Sequence, residues 1–224
     1  MRNKWWAKTL RIIGIFLMGL TAAFTLMGGA GTTCVALSPL GFGGKFAGIA
    51  PYQWLYILFV LVTIAIGVLG VRAVVLLVKG TKAAYRNSLV VLIAGVIVGG
   101  IHVIASRILR GGSMPVDMVV YITVFTLIVF LLFRIPVIWQ GVNFEKPAGE
   151  DNSSDKPVAI VLVSSGLLTL TIQFLMAPTH TIGNINYADA WHMTLSIIGV
   201  GLVLAGVIRF LVKSTAIPEI ETQL

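Results

Sequence analysis

The sequence is short of charge. Asp, Glu, Lys and Arg make up 11% of its 224 residues, against roughly 25% in ordinary soluble domains. So little polar surface cannot clothe a water-soluble globule. Acidic residues are scarcest, 8 against 16 Lys and Arg, and none falls in the middle of an apolar run. Proton- and sodium-coupled carriers use a mid-span carboxylate as their coupling group, so its absence weighs against that class. Cysteine occurs once, at Cys34, which excludes an intrachain disulfide and a cysteine-based metal framework. In its Gly/Thr-rich surroundings Cys34 reads as a small, semi-buried filler. Gly-x-Ser-x-Gly, His-Glu-x-x-His and Asp-x-x-x-Asp patterns are also missing, and with them the usual hydrolase and metalloenzyme arrangements. No catalytic residue, metal or cofactor is therefore expected, and the chain reads as a non-enzyme.

What is present is apolar. Hydrophobic residues make up 58% of the chain, the mean hydropathy is +0.99, and several runs reach the roughly 18–20 residues that cross hydrocarbon. The fold class that follows is all-α, a polytopic integral membrane protein built as a six-helix transmembrane bundle, with the lipid bilayer as its first partner. The spans are predicted at about 10–28, 54–78, 88–110, 116–139, 158–177 and 193–212. The first run has a small-x-small pattern at Gly28 and Ala30 that resembles a signal-peptide cleavage site. Its length and its Gly19/Ala23 packing face favour a retained span. A Gly-rich outer loop over 28–53 and a hydrophilic cytoplasmic loop over 140–157 complete the layout.

The formal charge of +8 and pI near 9.9 do not indicate nucleic acid, because the basic residues sit at helix ends with no binding motif beside them. With six spans, thirteen Lys and Arg lie on the N-terminal side and three, Lys45, Arg107 and Arg110, on the other. That bias places both termini in the cytoplasm, in a cell (plasma or inner) membrane. The run Gly41-Phe42-Gly43-Gly44-Lys45 resembles a phosphate-cradling loop, but no Ser or Thr follows Lys45 and no strand precedes the run.

The stretch Ser88 to Arg110 carries His102 and Arg107 inside an otherwise apolar run. Gly95, Gly99, His102 and Ser106 share one face at spacings of four, three and four. Small residues admit a neighbouring helix and polar ones seek partners rather than lipid, so this face is predicted to point into the bundle. His102 lies roughly 12 Å below the outer end, too deep to reach water with a short side chain. A neutral imidazole hydrogen-bonded to a neighbouring helix is the expectation. The sixth span repeats the pattern with His192, Ser196, Gly199 and Gly206. Setting the two spans antiparallel pairs Ser106 with Ser196 and His102 with Gly199, and Gly95 then falls opposite Gly206. The same register separates His102 from His192 by about two helical turns, too far in depth for two axial ligands of one haem. Nor do His180, Asp189 and His192 have the tight spacing of a zinc site.

Arg107, Arg110 and Asp117 flank the turn after the third span and are expected to form an interfacial ion pair. Joined by Lys45, His102 and His192, they form a candidate outward-facing electropositive pocket for an anionic small molecule, a lipid head group or a quinone-like ligand. The leading functional expectation is an accessory, scaffold or ligand-binding subunit that works with other membrane subunits or as a homo-oligomer. A small-solute carrier or channel with His102 and Arg107 near its path is the rival, and a haem- or quinone-associated subunit is the third reading.

Overall fold

The computed structural model describes residues 4–42, 44–145, 155–176, 181–182, 185–186, 189 and 192–212. Helices dominate: α1 (Trp5–Leu37), α2 (Gln53–Lys79), α3 (Ala84–Arg110), α4 (Val116–Leu132), α5 (Pro136–Val142), α6 (Asp155–Met176) and α7 (His192–Val212). Two 3-10 segments, Pro39–Gly41 and Ala47–Tyr52, link α1 to α2. Between α6 and α7, where the sequence reads as loop, β1 (Thr181–Ile182) pairs antiparallel with β2 (Ile185–Asn186). Among the described residues four helices are long and apolar enough to cross a membrane, and a bent α4–α5 pair is a fifth candidate. Val158–Ile172 is a shorter apolar helix.

The first span runs well past its predicted end at 28. Gly28, Gly29 and Gly31 stay helical, and Gly28 and Gly29 serve close approach rather than a turn. A Cβ on Gly28 would lie 2.9 Å from Val119 of α4, and one on Gly29 would lie 2.9 Å from Ile64 of α2. The hydroxyls of Thr32 and Thr33 donate to the carbonyls of Gly28 and Gly29, at 2.7 and 3.0 Å. Most of the predicted 28–53 loop is thus helix or 3-10 turn, and Cys34 is exposed on α1 rather than semi-buried.

Helix ends follow local chemistry. Gly80 (φ 68°) stops α2, with the Thr81 amide donating to the Leu76 carbonyl and the Gly80 amide to that of Leu77. That pair of bonds is a Schellman cap, and it fixes where Thr81 sits. Gly111 (φ 71°) stops α3 in the same left-handed region. The fourth span, predicted to continue to 139, breaks after Leu132, and α5 leaves at 98° to α4. Pro136 is the cause. It holds Ile135 extended (ψ 127°) and serves as the first residue of α5.

Helices α1 and α2 form the main seam, and α3 and α4 pack beside them. Gly67 of α2 closes on Leu26 and Gly70 on Ala22. At mid-bundle the buried hydroxyls of Thr21 (α1) and Thr126 (α4) share a 2.8 Å hydrogen bond. Such a bond ties two helices together, because pulling them apart inside an apolar bundle would leave both hydroxyls without a partner. At the end that holds the α2–α3 turn, Phe130, Phe133 and Phe144 pack with Tyr85 and Ile15 into the larger apolar cluster.

The partner of α7 differs from the expected one. It packs on α6: a Cβ on Gly199 would lie 3.0 Å from the Gly166 carbonyl oxygen, and one on Gly206 2.9 Å from that of Ala159. The predicted contact of α7 with α3, with His102 against Gly199, is therefore corrected. Gly199 and Gly206 do mediate helix packing, but within a sequence-adjacent hairpin. Ser196, half-buried, lies on the same helix. Consecutive antiparallel helices meet most readily, and Gly166 supplies the small facing residue.

Candidate functional site

The glycine-histidine face of α3 does point inward. Gly95 is closed by Thr123 of α4 and Gly99 by Val120. His102, 4% exposed, lies against α2, its ring stacked on Phe59 (centroids 4.4 Å apart, planes 15° apart) and edge-on to Tyr56 at 5.3 Å. Among the described residues neither ring nitrogen takes a hydrogen bond, so the predicted imidazole-to-helix bond gives way to aromatic stacking. The imidazole borders a cavity of about 20 Å³ among α1, α2, α3 and α4, whose wall includes Thr25, Thr63 and Thr123. That volume admits about one water molecule.

One turn along, Ser106 is buried and shares a 2.8 Å hydrogen bond with the Tyr56 hydroxyl. Tyr56 is itself 2% exposed. The sequence placed it in an interfacial aromatic belt with Tyr52 and Trp54; those two are exposed, whereas Tyr56 turns inward. A tyrosine at the start of a span can serve either position, and only the facing Ser106 decides between them.

Above this layer the α3–α4 turn is fastened by charge. Arg107 donates from Nη2 to Asp117 Oδ1 (3.2 Å) and from Nε to Ser113 Oγ (3.0 Å). The Ser113 hydroxyl in turn donates to the Asp117 carboxylate at 2.7 Å. Asp117 is buried while the Arg107 side chain is 57% exposed. The carboxylate therefore depends on this ring, but the arginine keeps much of its hydration, so the ion pair adds no more than about 1 kcal/mol. Ser113 was not singled out from sequence. Its signal is its spacing, four residues before Asp117 across the turn, near enough for its hydroxyl to reach that carboxylate.

Arg110, in the same last turn of α3, has other partners. Its guanidinium covers the Phe46 ring at 5.1 Å and donates to the Met114 carbonyl at 2.8 Å. Phe46 belongs to the small cluster of Ile49, Ala36, Tyr56 and Val60, which roofs the His102 layer. Gly48 meets the Leu109 carbonyl there so closely that no side chain fits. Lys45 is exposed on the segment leading into this roof. His192 opens α7, on the hairpin with α6, and is exposed. Of the six candidate residues, His102, Arg107, Arg110 and Asp117 are thus grouped at one end of α3 and α4, each held by protein partners of its own. Lys45 and His192 take no part in those contacts. His180 lies outside the described residues, as does the Gln173 side chain.

No family model, curated protein or solved structure matches this chain.

Proposed function

We propose that the chain is a non-enzymatic membrane subunit of the cell (plasma or inner) membrane. In this reading six spans leave both termini in the cytoplasm, and the protein acts as an accessory or scaffold component through its helix faces. The observation that carries this reading is where the polar groups between helices in the middle and at the Arg107 end of the bundle go. Thr21 closes on Thr126, Tyr56 on Ser106, and Arg107 on Ser113 and Asp117. These groups fasten one element to the next instead of converging on a shared open site. The exposed face of α7 supports the same reading. Ile197, Leu204, Ile208 and Leu211 are exposed there at spacings that put them on one stripe. Gly201 lies in that stripe with nothing near the position of its missing Cβ, a notch that suits the close approach of another helix.

The carrier or channel reading draws on His102 and four threonines, Thr25, Thr32, Thr63 and Thr123, at the wall of the central cavity. Its size, about one water molecule, is the argument against it.

Purification from native membranes in mild detergent separates the two. The expected result is a second membrane protein, or a second copy of this chain, held at constant stoichiometry and released by Gly201→Leu with the fold intact. Solute flux in protein-containing liposomes that His102→Leu abolishes, with the variant still folded, would overturn the proposal in favour of transport.

A further inference from the structure

At the opposite end of the bundle from Arg107 and Asp117, the turn after α2, the start of α3 and the α4–α5 bend enclose a cavity of about 330 Å³. That lies at the lower end of the roughly 300–1,000 Å³ of small-ligand sites. Among the described residues Lys82, Arg86 and Arg134 line it against one carboxylate, Glu145, an excess of two positive charges. Among the described residues none of the three cations forms an ion pair. Arg134 is held in place instead by aromatic faces, with its guanidinium 4.9 Å from the Trp139 ring centroid and 5.7 Å from that of Tyr85. Tyr85 is anchored in turn by its hydroxyl, which donates to the Phe130 carbonyl at 2.8 Å.

Two further features point to an anion. Thr81 lines the cavity beside the Schellman cap of α2, and its hydroxyl is buried with no hydrogen-bond partner. A buried hydroxyl left unpaired is costly, and turning the Thr81 side chain toward an acceptor oxygen in the cavity would relieve it. Helix α3 also begins here with Ala83 as its cap, no side-chain capping bond and no acidic residue in its first turn. The positive end of its dipole is therefore not offset by a side chain of its own.

We propose that this cavity binds a phosphate ester anion. Arg86, Arg134 and Lys82 would hold the phosphate oxygens, the Thr81 hydroxyl would donate to one of them, and Trp139 would cover the ester-bearing side. Arginine suits phosphate because its fork matches two oxygens, and an indole suits a group half in water and half in lipid. Both a phospholipid head group and a soluble phosphate ester present this chemistry. The site stands apart from the accessory-subunit reading and is tested separately.

The test is native mass spectrometry of the purified full chain in maltoside detergent, titrated with phosphatidylglycerol, phosphatidylcholine of matched acyl chains, and glycerol 3-phosphate. Saturable binding of phosphatidylglycerol over phosphatidylcholine is expected for a head-group site. Binding of glycerol 3-phosphate with the same sensitivity to substitution would assign a soluble ester instead. In either case Arg86→Gln and Arg134→Gln should each weaken binding about fivefold. Thr81→Val should weaken it and Glu145→Gln should strengthen it, two effects of opposite sign that a merely destabilised fold would not produce. Arg72→Gln, a basic residue outside the cavity, should change nothing. Equal binding of the two lipids with no glycerol 3-phosphate bound, or variants that bind as the parent does, would overturn the proposal.

Discussion

Gly199→Leu should detach α7 from α6, while Gly201→Leu, two residues along the same helix, should leave the hairpin intact. A side chain at 199 would run into Leu170, with its Cβ 2.6 Å from Leu170 Cγ and 3.0 Å from the Gly166 carbonyl oxygen. The side chain can turn away, but the backbone cannot move without separating the helices. Overpacking costs up to about 3 kcal/mol where side chains can adjust, and backbone contact puts Gly199→Leu at or above that figure. At 201 nothing lies within reach of a Cβ, and replacing glycine in a helix gains roughly 0.5–1 kcal/mol from its lower conformational freedom. Unfolding by denaturing detergent in bicelles would read the difference. Equal stabilities of the two variants would contradict the α6–α7 pairing.

Phe130→Ala should be the most damaging single truncation at the other end of the bundle. Phe130 is fully buried, stacked on Phe144 (centroids 5.9 Å, planes 4° apart) and on Tyr85 at 6.0 Å, with Phe133 beside it. In the membrane reading proposed above, the gain from burying apolar surface largely disappears, because the alternative surroundings are as apolar as the core. What remains is contact energy, and that is what a truncation removes. Emptying a site packed by three other rings is expected to cost about 3–5 kcal/mol. Tyr85 and Phe144 both border the Arg86–Arg134 cavity, so the same substitution should also loosen that wall. The same bicelle measurement applies, and a loss below about 1 kcal/mol would mean that the aromatic cluster contributes little to the fold.

These two positions also mark what could be read from the sequence. The face of α3 that carries Gly95, Gly99, His102 and Ser106 was legible because helical spacing alone groups it, and the ion pair of Arg107 with Asp117 was legible because only a short turn separates them. Which helix each face meets was not. Small residues occur in nearly every apolar run, so a glycine stripe states that a neighbour comes close without naming it. His102 finds Phe59 and Tyr56 where Gly199 was expected, and Gly199 finds Gly166. The extension of α1 through Gly28-Gly29-Ala30-Gly31 escaped for a related reason. Glycine reads as a breaker in water, whereas beside other apolar helices it permits close packing and the helix continues. The bend after Leu132 had its signals in Arg134 and Pro136, but a proline can equally end a span, and only Trp139 folding back over Arg134 distinguishes the two. The cation cavity stayed hidden because Lys82, Arg86 and Arg134 belong to separate segments that fit the ordinary pattern of basic residues at helix ends.

The proposed membrane reading carries a definite orientation in the bilayer, with the basic, aromatic end in the cytoplasm and the Arg107–Asp117 turn outside. Single-cysteine variants in a Cys34→Ser background test this directly. Gly112→Cys lies in the turn after α3 and Lys82→Cys in the turn after α2, and both can be probed in intact cells with a membrane-impermeant maleimide. The predicted result is labelling of Gly112→Cys from outside and of Lys82→Cys only after the membrane is permeabilised. The reverse pattern, or labelling of both sites without permeabilisation, would contradict it.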